Sequence, residues 1–174
     1  MNEIDIDTDH NFVMNGDMTE GYDHWDDVAN PGGVEIRNDG NVSYMALTHR
    51  AAVRQRMIVP IGQQAEVRYG LRLLYDTTYL SSPGLVVVNK RGSDEKFEIE
   101  LPVKTGLQDV DPLAIDLTEM RKDLPDSLDL QAGDELEINL SSPARGVGEP
   151  SSVEIRLTGI EIKLNLPKLG GGRC

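Results

Sequence analysis

The chain has 174 residues, one cysteine and a formal charge of −13 from 30 acidic and 17 basic side chains. That length suits one domain with its own core, and the charge argues against a nucleic-acid backbone or an anionic membrane surface as partner. The lone Cys174 leaves no intrachain disulfide, and the longest aliphatic run, Leu85 to Val88, falls far short of the ~20 residues that span a bilayer.

Residues 1–10 form an acidic lead, without the basic start and apolar stretch of a secretory signal. The expectation is a protein inside the cell, unless the chain is a segment of a larger secreted or cell-surface protein. Period-two alternation then recurs between Gly, Pro, Asn and Asp turns, which predicts strands near 11–14, 34–37, 42–47, 52–59, 65–75, 84–89, 95–103, 135–141 and 153–165. The last is expected to break into two pairing units at Gly159. In the 65–75 segment Val67, Tyr69, Leu71 and Leu73 share one face and Arg68, Gly70 and Arg72 the other, so this strand is expected to be buried on one side and wet on the other. Asp116 to Leu124 reads differently: Leu117, Met120 and Leu124 fall at helical spacing behind an N-cap at Asp116 and before Pro125, which predicts a short helix in a connection. Gly170 to Gly172 reads as a flexible tail or the start of a linker. Many short strands without long helices predict an all-β, antiparallel two-sheet β-sandwich.

The most informative stretch is Asn15 to Trp25, N-G-D-M-T-E-G-Y-D-H-W, in which Asn15-Gly16-Asp17 is turn chemistry and Trp25 is the chain's one tryptophan. It resembles the N-G-D-F-E-x-G opening and following tryptophan of carbohydrate-binding modules of the galactose-binding-like jelly-roll superfamily. Val53 to Pro60, the Gly62 turn and Glu66 to Leu73 resemble that family's central strand, turn and aromatic-bearing next strand, and Val153 to Leu164 resembles its closing strand. The resemblance covers most of residues 11–166. It implies a jelly roll that binds glycans without catalysis, with residues 1–10 as a lead and 167–174 as a tail or linker.

The resemblance also implies calcium, held near the N-terminal motif by carboxylates and backbone carbonyls. Thr19 stands where the motif carries Glu, however, and Thr158 where the closing strand usually carries Asp, so no tightly bound calcium and no other cofactor is expected, although Asp17 and Glu20 lie close by. Trp25 is assigned to the core, as the family's tryptophan is and as so large an apolar side chain usually is. His24 lies among Asp23, Asp26 and Asp27, an arrangement that reads as a solvated acidic loop because metal sites show closer multi-His or Cys spacing. There is no G-x-S-x-G, no phosphate-binding glycine loop and no Cys–His pairing of promise, so no catalytic residue is assigned.

Charge is uneven along the chain. Residues 1–40 hold eleven acids and one base, whereas residues 50–72 hold five arginines and one acid. If the 52–59 and 65–75 strands share a sheet, Arg54, Arg56, Arg68 and Arg72 line one face, where guanidinium groups can bond carboxylates or vicinal hydroxyls in pairs; if they do not, the cluster splits. The competing reading is that these arginines neutralise acidic neighbours. With Tyr44, Tyr75 and Tyr79 as tyrosines available for stacking, they complete the expected ligand-binding set. The expected partner is a glycan, an acidic one among the options. The alternative is the same sandwich used as a protein-interaction or structural module of a larger bacterial surface or toxin-like protein.

Overall fold

The computed structural model describes residues 10–63, 68–77, 82–103, 117–143 and 154–165. These contain ten strands: β1 (Asp26–Ala29), β2 (Val34–Asp39), β3 (Val42–Thr48), β4 (Ala52–Ile58), β5 (Arg68–Asp76), β6 (Gly84–Lys90), β7 (Lys96–Leu101), β8 (Thr118–Asp123), β9 (Glu135–Ser141) and β10 (Glu154–Asn165). Every pairing is antiparallel. The strands make two five-stranded sheets, a first sheet in the order β1-β4-β9-β6-β7 and a second in the order β2-β3-β10-β5-β8. The molecule is thus the all-β, two-sheet sandwich that the alternation predicts.

The period of two decides which side chains meet between the sheets. On β5, Tyr69, Leu71, Leu73 and Tyr75 are buried while Arg68, Gly70 and Arg72 keep contact with solvent. On β9, Leu136, Ile138 and Leu140 are buried in the same way. These residues join Val53, Met57, Val86, Val88, Ile155, Leu157, Ile160 and Ile162 in one apolar cluster, and removal of this surface from water is the main term that holds the sheets together.

β10 carries the break expected at Gly159. Its first half pairs with β3 from Glu154 to Leu157, and its register on β5 shifts between Thr158 and Glu161. Gly159 has φ +59, a left-handed conformation that glycine adopts without a Cβ penalty and that suits a β-bulge.

Two expected elements are absent. Residues 11–14 form no strand but an irregular segment that nevertheless performs an edge strand's task. Beyond Leu157, the side of β10 that faced β3 is left open, and residues 11–16 satisfy its polar groups. Phe12 N donates to Ile162 O (2.9 Å) and Ile160 N to Gly16 O (3.1 Å). The Asn11 carboxamide supplies the rest, with Nδ2 donating to Ile160 O (3.1 Å) and Oδ1 accepting from Ile162 N (3.0 Å). A side-chain amide has the donor and acceptor of a peptide group, so one asparagine does locally what a paired strand would do.

The helix expected over 116–124 is replaced by the edge strand β8, which pairs with β5 from Thr118 to Asp123. Met120 and Leu124 of the expected stripe are both buried, but the free edge of β5 offers the intervening backbone hydrogen-bonding partners along a strand. Pairing with a neighbour overrides the weak local preference for helix. β1 has no counterpart among the expected strands: all four of its residues are exposed, so no alternation marks it, and its pairing with β4 alone defines it.

Candidate ligand-binding face

The topology separates the predicted arginines. Arg54 and Arg56 project from β4 on the outer face of the first sheet, opposite the buried Val53, Gln55 and Met57. Arg68 and Arg72 project from β5 on the outer face of the second. The cluster therefore splits, the second of the two cases the sequence left open, because β4 and β5, neighbours in sequence, belong to different sheets. Three of the four are engaged with carboxylates: Arg56 with Glu137 (2.9 Å), Arg68 with Asp126, and Arg72 with Glu119 (3.2 Å) and Glu161 (3.5 Å). The buried Nε of Arg54 makes no hydrogen bond.

The tyrosines are also withdrawn. Tyr75 belongs to the core cluster, and Tyr79 lies outside the described residues. Tyr22 is half-buried and its hydroxyl donates to Asp27 at 2.5 Å; burial first, and the Asp27 carboxylate second, push its phenol above the usual value. Tyr44 is buried but alternates with Met45 and Leu47 of the core, so it stands on the outer face of the second sheet. Among the described residues no Phe, Tyr or Trp is exposed.

Around Tyr44 lies a group of charges whose link to one another the sequence does not announce. Arg156 of β10 has its guanidinium 5.8 Å from the centre of the Tyr44 ring, within cation–π range. It stands beside Asp76 of β5 in register and approaches that carboxylate to 3.5 Å and the Glu154 carboxylate to 3.7 Å. Arg37 of β2, opposite Tyr44 in register, donates to both oxygens of Glu154 (2.5 and 2.8 Å) and to Glu35 (2.9 Å). Hydrogen bonding to Glu35 raises the Arg37 pKa further, against the opposing effect of burial, and Glu154 adds to the rise. The Arg37 contact holds the Glu35 carboxyl below its usual range. Arg156, Asp76 and Glu154 are all buried although they belong to a sheet's outer face. Charges taken from water persist where they are paired and hydrogen-bonded, and here the pairing runs continuously across β2, β10 and β5.

The N-terminal motif forms a compact loop that turns on Asn15. Asn15 Nδ2 donates to Gly21 O (3.0 Å) and Asp23 O (2.9 Å), and its Oδ1 accepts from Glu20 N (2.9 Å). Its backbone oxygen accepts from Met18 N (3.3 Å) and from the Trp25 indole Nε1 (3.1 Å). Trp25 is buried in the core cluster, as expected. Threonine stands at both positions where the family pattern carries a carboxylate, and both threonines are engaged within the protein. Thr19 gives both its N–H and its hydroxyl to Asp17, and the Thr158 hydroxyl donates to Ser43 O at 2.6 Å. Neither supplies the negative charge that a hard cation requires, and among the described residues no three His, Cys, Asp or Glu side chains come together in a metal-holding group. Likewise, among the described residues no helix is long and apolar enough to cross a membrane.

Two further residues that sequence reading passed over fix the N-terminal segment. Gln55, at a core-facing position of β4, accepts from Met14 N through Oε1 (2.6 Å) and donates to Met14 O through Nε2 (2.8 Å). Residues 11–16 are thus bound to the second sheet through Asn11 and to the first through Gln55. A polar side chain between Val53 and Met57 in an otherwise apolar alternation was the available signal.

No family model matches the chain, and no curated protein matches it. Solved structures do. A family 16 carbohydrate-binding module superposes with a TM-score of 0.56 at 15% identity, over 87% of this chain and 99% of its own. The cleaved adhesin domain of Lys-gingipain from Porphyromonas gingivalis superposes with 0.53 at 14% identity, over 87% and 98%. A family 61 carbohydrate-binding module solved with β-1,4-galactotriose superposes with 0.52 at 12% identity, over 91% and 99%. The protein therefore has the jelly-roll sandwich of carbohydrate-binding modules.

Proposed function

We propose that the protein is a non-catalytic module that binds a neutral glycan on the outer face of the second sheet, around Tyr44, Arg37 and Arg156. The observation that carries this reading is the continuous charge-paired group beneath and beside Tyr44. Sugars present vicinal hydroxyls that both donate and accept, and they suit a surface where guanidinium donors alternate with carboxylate acceptors. In this group the guanidiniums of Arg37 and Arg156 face the carboxylates of Glu35, Glu154 and Asp76. That balance favours a neutral sugar over the uronic acid that four unpaired arginines would have attracted. The fold shared with two carbohydrate-binding modules supports the reading without naming the sugar.

The test is an array of neutral and uronic-acid glycans probed with the purified protein, followed by titration of Arg37→Gln and Tyr44→Phe. Neutral glycans should bind, and Arg37→Gln should weaken them while the melting transition stays cooperative. Binding confined to uronic acids, or affinity unchanged in both variants, overturns the assignment.

The second reading is recognition of another protein. It rests on the absence of exposed aromatics among the described residues and on the polar outer face of the first sheet, where Arg54, Arg56, Glu137 and Asn139 stand in register on β4 and β9. The adhesin domain shares the fold. A blank array across both glycan classes would move the assignment there.

A further inference from the structure

We propose that the N-terminal loop is closed internally by the carboxamide of Asn15 and that the residues present around it do not hold a divalent cation, so that the fold of this module does not depend on divalent metal. The argument begins with the backbone. Asn15, Met18, Gly21 and His24 all have positive φ, between +53 and +73, and successive turns place Met18 N on Asn15 O, Gly21 N on Met18 O, Asp23 N on Glu20 O and Trp25 N on Tyr22 O. Those turns leave the oxygens of Gly21 and Asp23 converging on one point. Two carbonyls that converge without a donor repel each other and attract a cation.

In this chain the point is filled by an amide nitrogen. Asn15 Nδ2 lies 3.0 Å from Gly21 O and 2.9 Å from Asp23 O, and the two hydrogens of one NH₂ group serve the two acceptors. The other end of the same carboxamide receives Glu20 N at 2.9 Å, so its orientation is fixed by a donor that an oxygen alone can accept. The side chain is therefore bound at both ends. A calcium ion seated between Gly21 O and Asp23 O would have to expel the NH₂ group.

The experiment compares melting temperature in EDTA and in millimolar calcium chloride for the full chain and for Asn15→Ala, with calorimetric titration of calcium into the chelator-treated wild type. The wild type should melt at one temperature in both solutions and give no saturable heat. Asn15→Ala should melt several degrees lower in EDTA. A calcium-dependent rise in the wild type, or a stoichiometric binding isotherm, overturns the proposal, as does an Asn15→Ala variant that melts with the wild type. Should Asn15→Ala fail to fold, amide exchange of the wild type in EDTA decides: the Glu20 N–H should be strongly protected, and exchange at the rate of an open loop refutes the closure.

Discussion

The indole Nε1 of Trp25 donates to the backbone oxygen of Asn15 at 3.1 Å, which ties the chain's one tryptophan to the residue around which the N-terminal loop is folded. The bond explains why motif and tryptophan occur together in the sequence: the ring anchors the loop in the core, and the loop satisfies the ring's one polar atom. A buried indole needs such an acceptor. Trp25→Ala should therefore cost about 3–5 kcal/mol, read as a lowered urea midpoint. Trp25→Phe keeps much of the bulk and loses the donor, and should fall between the two. A midpoint unchanged in Trp25→Ala, with ligand binding lost, would make the ring part of a binding surface instead.

Gly16 tests the edge of β10. A Cβ built on it would lie 2.0 Å from Ile160 O, next to the Ile160 N to Gly16 O bond that joins the segment to the sheet. The obstacle is backbone, which cannot rotate away as a side chain can. Gly16→Ala should force the segment outward and cost at least the ~1–3 kcal/mol typical of overpacking. Wild-type stability in this variant would show that the segment moves without consequence.

Gln55 tests the other anchor. Gln55→Leu preserves volume and apolar patterning on β4 but leaves both Met14 backbone groups without their side-chain partner. Unpaired polar groups of this kind cost ~1–3 kcal/mol each where water cannot replace the bond. Exchange of the Met14 amide should accelerate more than that of amides within β9, and equal protection in wild type and variant would contradict the anchor.

The parts of this architecture that were legible in the sequence are those set by local rules. β3, β4 and β9 follow from alternation bounded by turn residues, and the break in β10 follows from a glycine inside an apolar strand. β8 was illegible because Met120 is its one buried residue, and a single buried position fixes no period. The segment 11–16 was illegible because Asn11 substitutes for a peptide group, an exchange that depends on what lies across from it. The arginines show the larger limit: strand order in sequence says nothing about which sheet a strand joins. For the same reason Arg37, Asp76, Glu154 and Arg156, far apart in the chain, went unnoticed as a group.

Acid should weaken the first sheet through Glu137. Burial works to raise its pKa, but hydrogen bonds from Asn139 and Arg56, and the charges of Arg56 and Arg54, outweigh it and hold the carboxyl below its usual value. A carboxylate with a depressed folded-state pKa contributes stability that is complete above its unfolded value, about 4.3, and that is lost as pH falls through the folded one. Glu137→Gln removes the contribution at every pH. The difference in urea midpoint between wild type and variant should thus be largest at neutral pH and shrink as pH falls below about 4.3. A gap independent of pH would assign the effect of the substitution to packing.

Arg156 carries the sharpest test of the second sheet's outer face. Its side chain is 8% exposed and its partner Asp76 3% exposed, with 3.5 Å between guanidinium and carboxylate. At such burial the attraction between the charges offsets their desolvation only while both are present, so Arg156→Met should cost up to about 3–5 kcal/mol by removing the guanidinium beside Asp76, while Glu154 keeps its bonds from Arg37. Adding Asp76→Asn removes the buried carboxylate that faced it, and the double variant should be more stable than Arg156→Met alone. The two substitutions then show a coupling of the size found for residues in contact, roughly 0.5–3 kcal/mol. Simple additivity would mean that the pair is screened by water.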